Sequence, residues 1–370
     1  MPQPRKGKGA RQGGKAVGGQ FAAIRADDPP LADGDLTANH SRPLLRHDRQ
    51  AFADLVRDAA AAGGLDQSLV ERDYWMCQVA TGLLAESKKY PGSYTSIGGG
   101  SLLSLLGITE RLSEDVDISV SFVDGTDACS SNKSKNLMEE FQRRAEEKTD
   151  ISAFRKPNGG GNFIRTVYYP FPTVLPQGST AAQVKSDKGL RYIGREHMIR
   201  AEGMPYMGRF VQERELGLLP PDLAPRLIVG THPLQVLADK LDAVCWREGQ
   251  VPHEGQAVIN QMVERVRDHY DIFRLLHWLR AENLLDHDSF IATVERTQHE
   301  ERKLRKKMKS KRPERDRPAE GYASLRAWTS RTPEYAALSA AYPSLRSVVF
   351  GELPTYDEVC DAVHSAAEII

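Results

Sequence analysis

The stretch SIGGGSLLSLLGITERLSEDVDISV, residues 96–120, decides how this chain is interpreted. It contains, in order, the end of a short β-favouring run, three glycines, a serine, a short helical run, a polar loop and a strand. Glycines at a strand end let backbone amides approach an anion closely, and the start of the next helix adds free N–H groups and partial positive charge. The sequence therefore predicts a phosphate-binding turn at Gly99, Gly100 and Ser101.

The end of this stretch predicts a strand that carries a pair of carboxylates. Asp115 and Asp117 lie two residues apart, so their side chains project from the same face of the strand. Two close carboxylates repel each other unless a cation joins them, and Mg²⁺ is usually held by one or two carboxylates together with substrate phosphates. A diacid beside a triphosphate-binding turn predicts transfer of a nucleotide from a nucleoside triphosphate, assisted by two Mg²⁺ ions.

The spacing of these two motifs makes the prediction more specific. A glycine cluster or an Asp-x-Asp pair alone is common in purely structural roles. Here thirteen residues separate Gly100–Ser101 from Asp115–Val116–Asp117–Ile118. That combination resembles the signature of the polymerase-β-type nucleotidyltransferase superfamily.

The stretch is similar, more narrowly, to the AbiEii/AbiGii-type toxin family, which includes the mycobacterial MenT toxins. The matching positions are Gly99, Gly100, Ser101, Arg111, Leu112, Ser113, Asp115 and Asp117. Residues 71–75 (ERDYW) resemble the Glu-Lys-Asp element of that family. Lys240 in ADKLDAV, and Arg267, Asp268 and Asp271 in RDHYDIFRLL, resemble its downstream motifs. The resemblance covers roughly residues 65–285.

The resemblance implies roles for several of these residues. It assigns metal binding to Asp115 and Asp117, phosphate contacts to Ser101 and Ser113, and triphosphate binding to Lys240. Asp268 would complete the catalytic site. Many superfamily members carry a third carboxylate on a later strand, and Glu202 is the candidate that this sequence offers. The role of Asp271 stays open at this point.

The resemblance also implies partners and an acceptor. Toxins of this type are paired with an antitoxin, and family members act on tRNA, whose 3′ end offers a hydroxyl group. Residues 301–318 carry ten Lys or Arg against three acidic residues, and such runs attract phosphate backbones. Because no aromatic residue interrupts this run, a solvated linker explains it equally well.

The order of elements predicts an α+β protein. Residues 1–45 are expected to be a disordered basic tail, 46–225 a nucleotidyltransferase domain with a mixed sheet flanked by helices, and 226–370 a helical C-terminal domain with a basic segment at 301–317. Further strands are predicted near 163–169 and 191–202, and helices near 134–147 and 256–281. Thr231 is predicted to cap a helix that has Pro233 in its first turn.

Composition narrows the class of protein. Lys and Arg together total 50, as do Asp and Glu, so the net charge predicts no general attraction to nucleic acid. The four cysteines lie far apart without metal-ligand spacing, which is typical of the reducing cytoplasm. No apolar run approaches the roughly 18 residues that a membrane span needs. We therefore expect a cytoplasmic protein without membrane contact.

Two alternative functions stay open from the sequence. A nucleotidyltransferase of this fold could modify protein hydroxyl groups or a small molecule instead of RNA. The chain could also be an inactive protein that binds nucleotide or RNA without transferring anything. The intact pair of aspartates, the Gly-Ser turn and Lys240 argue against loss of activity.

Overall fold

The structure is a computed structural model, and it describes residues 22–23, 43–122, 129–156, 161–176, 182–250, 255–309 and 316–370. Most of the predicted tail at 1–45 therefore lies outside the described residues, as do residues 310–315 of the predicted basic segment. The glycine cluster at 159–161 predicts a turn, of which only Gly161 belongs to the described residues.

Seven strands form one mixed sheet in the described part of the chain. They are β1 (Ala22–Ala23), β2 (Tyr94–Gly98), β3 (Asp115–Ser121), β4 (Ile164–Pro170), β5 (Gln183–Leu190), β6 (Met198–Gly203) and β7 (Arg226–Thr231). Their order across the sheet is β1-β6-β7-β2-β3-β5-β4. The β2–β7 and β3–β5 pairs are parallel and the other pairs are antiparallel.

Helices pack on this sheet and dominate the second half of the chain. They are α1 (Arg49–Gly63), α2 (Gln67–Leu83), α3 (Gly99–Leu105), α4 (Ser131–Thr149), α5 (Tyr206–Glu213), α6 (Pro233–Glu248), α7 (Gln256–Glu264), α8 (Arg267–Ala281), α9 (His287–Met308), α10 (Pro333–Ala341) and α11 (Tyr356–His364). This architecture confirms the predicted α+β class, with a mixed sheet, flanking helices and a helical C-terminal part. No described helix has the length and apolar character to span a bilayer.

The central strand β3 separates a buried face from a polar face. Val116, Ile118 and Val120 are buried in the hydrophobic core, to which α2 contributes. Helix α4 packs closely on α2. The two backbones approach so closely that a Cβ atom at Gly82 of α2 would lie only 3.1 Å from the Cα atom of Ala145 on α4. The predicted strand is thus confirmed, and Asp115 and Asp117 lie on the face opposite these apolar residues.

Strand β5 was missed by the sequence analysis. Its buried face contains Ser186 and Lys188 as well as Val184 and Leu190, so the stretch QVKSDKGL lacks the apolar alternation that identifies a half-buried strand. The strand predicted near 163–169 is present as β4. The one predicted near 191–202 begins later, at Met198, as β6.

Two helix predictions also differ from the structure. The single helix expected over 256–281 is divided into α7 and α8, because Arg265 leaves the helical region with φ −110° and ψ 19°. At the start of α6, His232 is the N-cap and accepts a hydrogen bond from the backbone N–H of Leu234. Thr231 is instead the last residue of β7. Strand β7 begins at Arg226, just beyond the predicted domain boundary at 225. The division into two domains stays a prediction.

A buried histidine on α8 predicts acid sensitivity of the fold. His269 is 2% exposed, its Nδ1 lies 3.1 Å from the Tyr356 hydroxyl, and burial lowers its pKa to about 3. Below the unfolded-state pKa of roughly 6.5, the unfolded chain takes up a proton that the native state excludes. The free energy of unfolding should therefore fall as pH drops from 6.5 toward 4, by up to about 1.4 kcal/mol per pH unit from this residue.

Urea denaturation at pH 7, 6, 5 and 4.5 checks this expectation. His269→Phe should reduce the dependence of unfolding free energy on pH, whereas His287→Gln, at an exposed histidine, should leave it unchanged. Equal slopes for wild type and His269→Phe would contradict the assignment.

Candidate active site

Three aspartates converge at one end of the sheet. Asp115 and Asp117 lie on β3, and Asp187 on β5 is the direct pairing partner of Asp117. One carboxylate oxygen from each residue lies within 4.8 Å of the other two. Because side chains of directly paired residues share a face of the sheet, the parallel β3–β5 register itself produces this cluster.

Asp187 is the third carboxylate that the sequence analysis sought at Glu202. Glu202 is exposed on β6, three strands from β3 in the sheet order, and pairs with Leu227 near the start of β7. The aspartates lie near the other end of β7. Gly230, close to that end, pairs with Ile97 of β2, and the next residue of β2, Gly98, pairs with Asp117. Once β5 is recognised as a strand, Lys185 and Asp187, two residues apart, lie on the same face, and this pattern could have identified Asp187.

Repulsion between the carboxylates contributes to a raised pKa of Asp117. Burial and the nearby charge of Asp115 together raise the pKa of Asp117 to about 7, against the opposing effect of Lys240. Asp115 lies 3.8 Å from the ammonium of Lys185 and 3.8 Å from the guanidinium of Arg267. A divalent cation among the three carboxylates would relieve the same repulsion more completely.

The Gly-Ser turn holds β3 in position. Ser101 is fully buried, and its hydroxyl donates to the Gly98 carbonyl at 2.9 Å and accepts from the Asp117 N–H at 3.2 Å. Gly99 adopts φ +54°, and a Cβ atom there would overlap the Asp117 carboxylate. A Cβ atom at Gly100 would overlap the Arg111 guanidinium. The fold itself therefore requires Gly99, Gly100 and Ser101 at these positions. Their contacts with phosphate stay a prediction.

Substitution of Gly99 should therefore damage the site directly. Gly99→Ala forces a left-handed conformation on alanine and displaces the Asp117 carboxylate. We expect a loss of roughly 1–3 kcal/mol of unfolding free energy from backbone strain, together with loss of divalent-cation binding.

Thermal denaturation with and without Mg²⁺ measures both effects. Gly189→Ala is the matched control, because Gly189 lies on β5 with no atom within 4 Å of its would-be Cβ. A Gly99→Ala protein with unchanged melting temperature and unchanged Mg²⁺-induced stabilisation would contradict this account.

A buried ion-pair network forms the wall of the site on the helical side. Arg111 donates to both oxygens of Asp271 from Nε and Nη2, each at 2.6 Å, and both side chains are almost fully buried. Lys240 on α6 lies 2.7 Å from Asp271 and 2.9 Å from Asp268, both on α8. Arg247 approaches Asp268 at 3.5 Å. The network fixes α6 and α8 against the loop before β3.

The charges in this network stabilise one another. Burial acts to raise the pKa of Asp271, but Arg111 and Lys240 outweigh it and hold the pKa below its usual value. Asp268 behaves in the same way, because Lys240 overcomes the effect of burial. The pKa of Lys240 is raised by these two carboxylates despite burial, so Lys240 is firmly cationic.

The structure places Asp268, which the resemblance assigns to the catalytic site, and Asp271, whose role the sequence left open, in different surroundings. Asp271 is fully buried and paired with Arg111, and this position indicates a structural role. Asp268 instead lines a small cavity of about 110 Å³ between the aspartate cluster and the helices. The other lining residues are Gly100, Arg111, Ser113, Asp115, Asp117, Asp187, Lys240, Arg265 and Arg267. The Ser113 hydroxyl donates to the Asp115 carbonyl at 3.0 Å.

Removal of the Asp271 charge should destabilise the protein strongly. Asp271→Asn leaves Arg111 buried without a full counter-charge, and breaking a buried pair in this way costs about 3–5 kcal/mol of unfolding free energy. Urea denaturation measures the change. Asp54→Asn, in the exposed Asp54–Arg57 pair, should leave the curve unchanged. Similar curves for both variants would refute the structural role of Asp271.

Comparison with known proteins agrees with this geometry. A family model described as "Nucleotidyl transferase AbiEii toxin, Type IV TA system" matches residues 92–349. The matched segment begins just before β2, includes the three aspartates and the ion-pair network, and ends at Val349, which bridges back to Arg111. No protein of curated function shows significant similarity to the chain.

Proposed function

The chain belongs to the AbiEii nucleotidyltransferase toxin family of type IV toxin–antitoxin systems, and we propose that it transfers a nucleotide from a nucleoside triphosphate to an RNA acceptor. The expected acceptor group is the hydroxyl at the 3′ end of tRNA. The observation that carries the proposal is the cluster of Asp115, Asp117 and Asp187 beside the Gly-Ser turn and a wall of cations. The family implies a nucleotide substrate and an antitoxin partner.

The aspartate cluster fits a divalent cation with a preference for hard oxygen ligands. Three carboxylate oxygens lie within 4.8 Å of one another, and burial together with the charge of Asp115 disfavours the charged form of Asp117. Mg²⁺ is the cation that suits carboxylates together with phosphate oxygens. We propose that Asp115 and Asp117 hold two such ions, with Asp187 as the third carboxylate. Bound there, Mg²⁺ neutralises charge at the α-phosphate and lowers the pKa of the attacking hydroxyl.

The cavity beside the cluster suits the phosphates of the donor. Its volume of about 110 Å³ is well below the roughly 300 Å³ at which sites for whole small molecules begin. The base and ribose of a nucleotide would therefore lie outside it. Lys240, Arg265 and Arg267 line the cavity, where they can neutralise the departing pyrophosphate. Gly100 and Ser113 lie on the same wall and are proposed to contact phosphate oxygens.

The reaction follows from these positions. The oxygen of the acceptor hydroxyl attacks the α-phosphorus, and the bond from that phosphorus to the bridging oxygen of the β-phosphate breaks. The hydroxyl proton passes to a nearby carboxylate, for which Asp187 is placed, and pyrophosphate leaves toward Lys240 and Arg267. Asp268 would keep the Lys240 ammonium oriented toward the cavity through their 2.9 Å ion pair.

A basic helix supports RNA as the acceptor class. The last turn of α9 carries Arg305, Lys306 and Lys307. Helix α9 packs on α6, the helix that carries Lys240 of the cavity wall. The basic end of α9 can attract the phosphate backbone of an RNA. This feature favours RNA over a small-molecule acceptor, which needs no basic surface.

Transfer assays with aspartate variants test the proposed function. We expect purified protein with Mg²⁺, one labelled nucleoside triphosphate at a time and total bacterial tRNA to place label on tRNA. Asp115→Asn, Asp117→Asn and Asp187→Asn should each lower the transfer rate by at least about 100-fold, because each removes a charge from the metal site. Chelation of divalent cations should abolish transfer.

Glu202→Gln is the matched control, since it neutralises a carboxylate in the same sheet outside the cluster. It should retain full activity. Label on protein or on a small molecule would redirect the assignment to another acceptor. Nucleotide binding without any transfer by wild type would support an inactive binding protein and overturn the proposal.

A further inference from the structure

An exposed pair of aromatic rings lies at the edge of the sheet beside the aspartate cluster. Phe154 forms an isolated bridge with Tyr168 of β4, in which the N–H group of each residue donates to the carbonyl of the other at 2.9 Å. The two rings stack with centroids 5.5 Å apart at an angle of 21°, yet Phe154 remains 42% exposed. The ammonium of Lys156 lies 4.5 Å from the Tyr168 ring centroid.

The strand register places these rings on the catalytic face. Tyr168 pairs directly with Lys185, and Lys185 pairs directly with Asp115. In the next row, Thr166 pairs with Asp187, and its hydroxyl donates to the Asp187 carboxylate at 2.6 Å. Side chains in one row share a face, so the aromatic pair stands two strands from Asp115 with Lys185 between them.

This position lies across the aspartate cluster from the phosphate-binding cavity. Gly100, Lys240 and Arg267 line the cavity on the β2 and helical side of β3. Asp187 on β5 also lines the cavity, and the aromatic pair lies beyond Asp187, at β4. In-line displacement needs the attacking hydroxyl opposite the departing pyrophosphate. The acceptor should therefore approach from the side of β4 and β5.

We propose that Phe154 and Tyr168 form a stacking platform for an unpaired base at the end of the RNA acceptor. Lys156, whose ammonium lies over the Tyr168 ring, and Lys185, the pairing partner of Tyr168, supply positive charge next to the ring pair for the flanking phosphates of a single strand. The Lys185 ammonium is also paired with Asp187. Stacking on an exposed ring accepts any base, so the platform positions an RNA end without reading its sequence. The inference rests on the proposed function, because it identifies how that site receives its acceptor.

Steady-state kinetics of Phe154 variants test the platform. Phe154→Ala should raise the KM for tRNA by about 5- to 100-fold, the range expected for loss of one base stack, while the KM for the nucleoside triphosphate changes less than about twofold. Phe154→Trp should keep or lower the KM for tRNA. Leu227→Ala, at an exposed apolar side chain on β7, is the control and should behave as wild type. Melting temperatures establish that each variant is folded.

A binding measurement separates this inference from the proposed function. A single-stranded RNA oligonucleotide with 2-aminopurine at its 3′ end should lose fluorescence on wild-type protein, and much less on Phe154→Ala. That result supports the platform even if no transfer occurs. Transfer to tRNA with unchanged KM in Phe154→Ala would overturn the platform and leave the proposed function intact. A raised KM for the nucleoside triphosphate alone would overturn it too, by assigning the rings to the donor base.

Discussion

The mutual repulsion of Asp115, Asp117 and Asp187 is the constraint around which the rest of this structure is arranged. Their oxygens lie within 4.8 Å of one another, an arrangement that would not persist at an unsupported surface. The backbone holds them there, through the parallel register of β3 and β5 and through the Ser101 hydroxyl at the Asp117 N–H. The close approach of the turn to β3 then requires glycine at position 99.

Cations around the cluster are arranged in two ways with different consequences. Lys185 and Arg267 reach the cluster itself at 3.8 Å and are partly exposed, and each also forms an ion pair with a further carboxylate, Asp187 for Lys185 and Glu114 for Arg267. Arg111 and Lys240 are committed to buried carboxylates on α8, which keeps them charged and fixed. The second group costs desolvation energy but gives a preorganised wall that needs no rearrangement when a substrate binds.

The two faces of the sheet differ in exposure around the aspartate cluster. The apolar face of β3 is buried in the core, whereas the opposite face of β3, β5 and β4 stays partly exposed from Asp115 to Phe154. The cavity ends this surface on one side and the aromatic pair ends it on the other. Under the proposed function, donor and acceptor would approach from opposite ends of one row of strands, which is the geometry that in-line transfer requires.

The sequence by itself determined the local unit of this protein: the β2–turn–α3 element, the alternation of β3 and the paired aspartates, because each depends on residues close together in the chain. It could not identify Asp187, because β5 carries Ser186 and Lys188 on its buried face and the strand pairing joins residues seventy positions apart. It also left the role of Asp271 open, although Asp268 lies only one helical turn away. Only tertiary packing decided that Asp271 is buried against Arg111 while Asp268 faces the cavity, since burial and ion pairing are set by what the folded chain brings alongside.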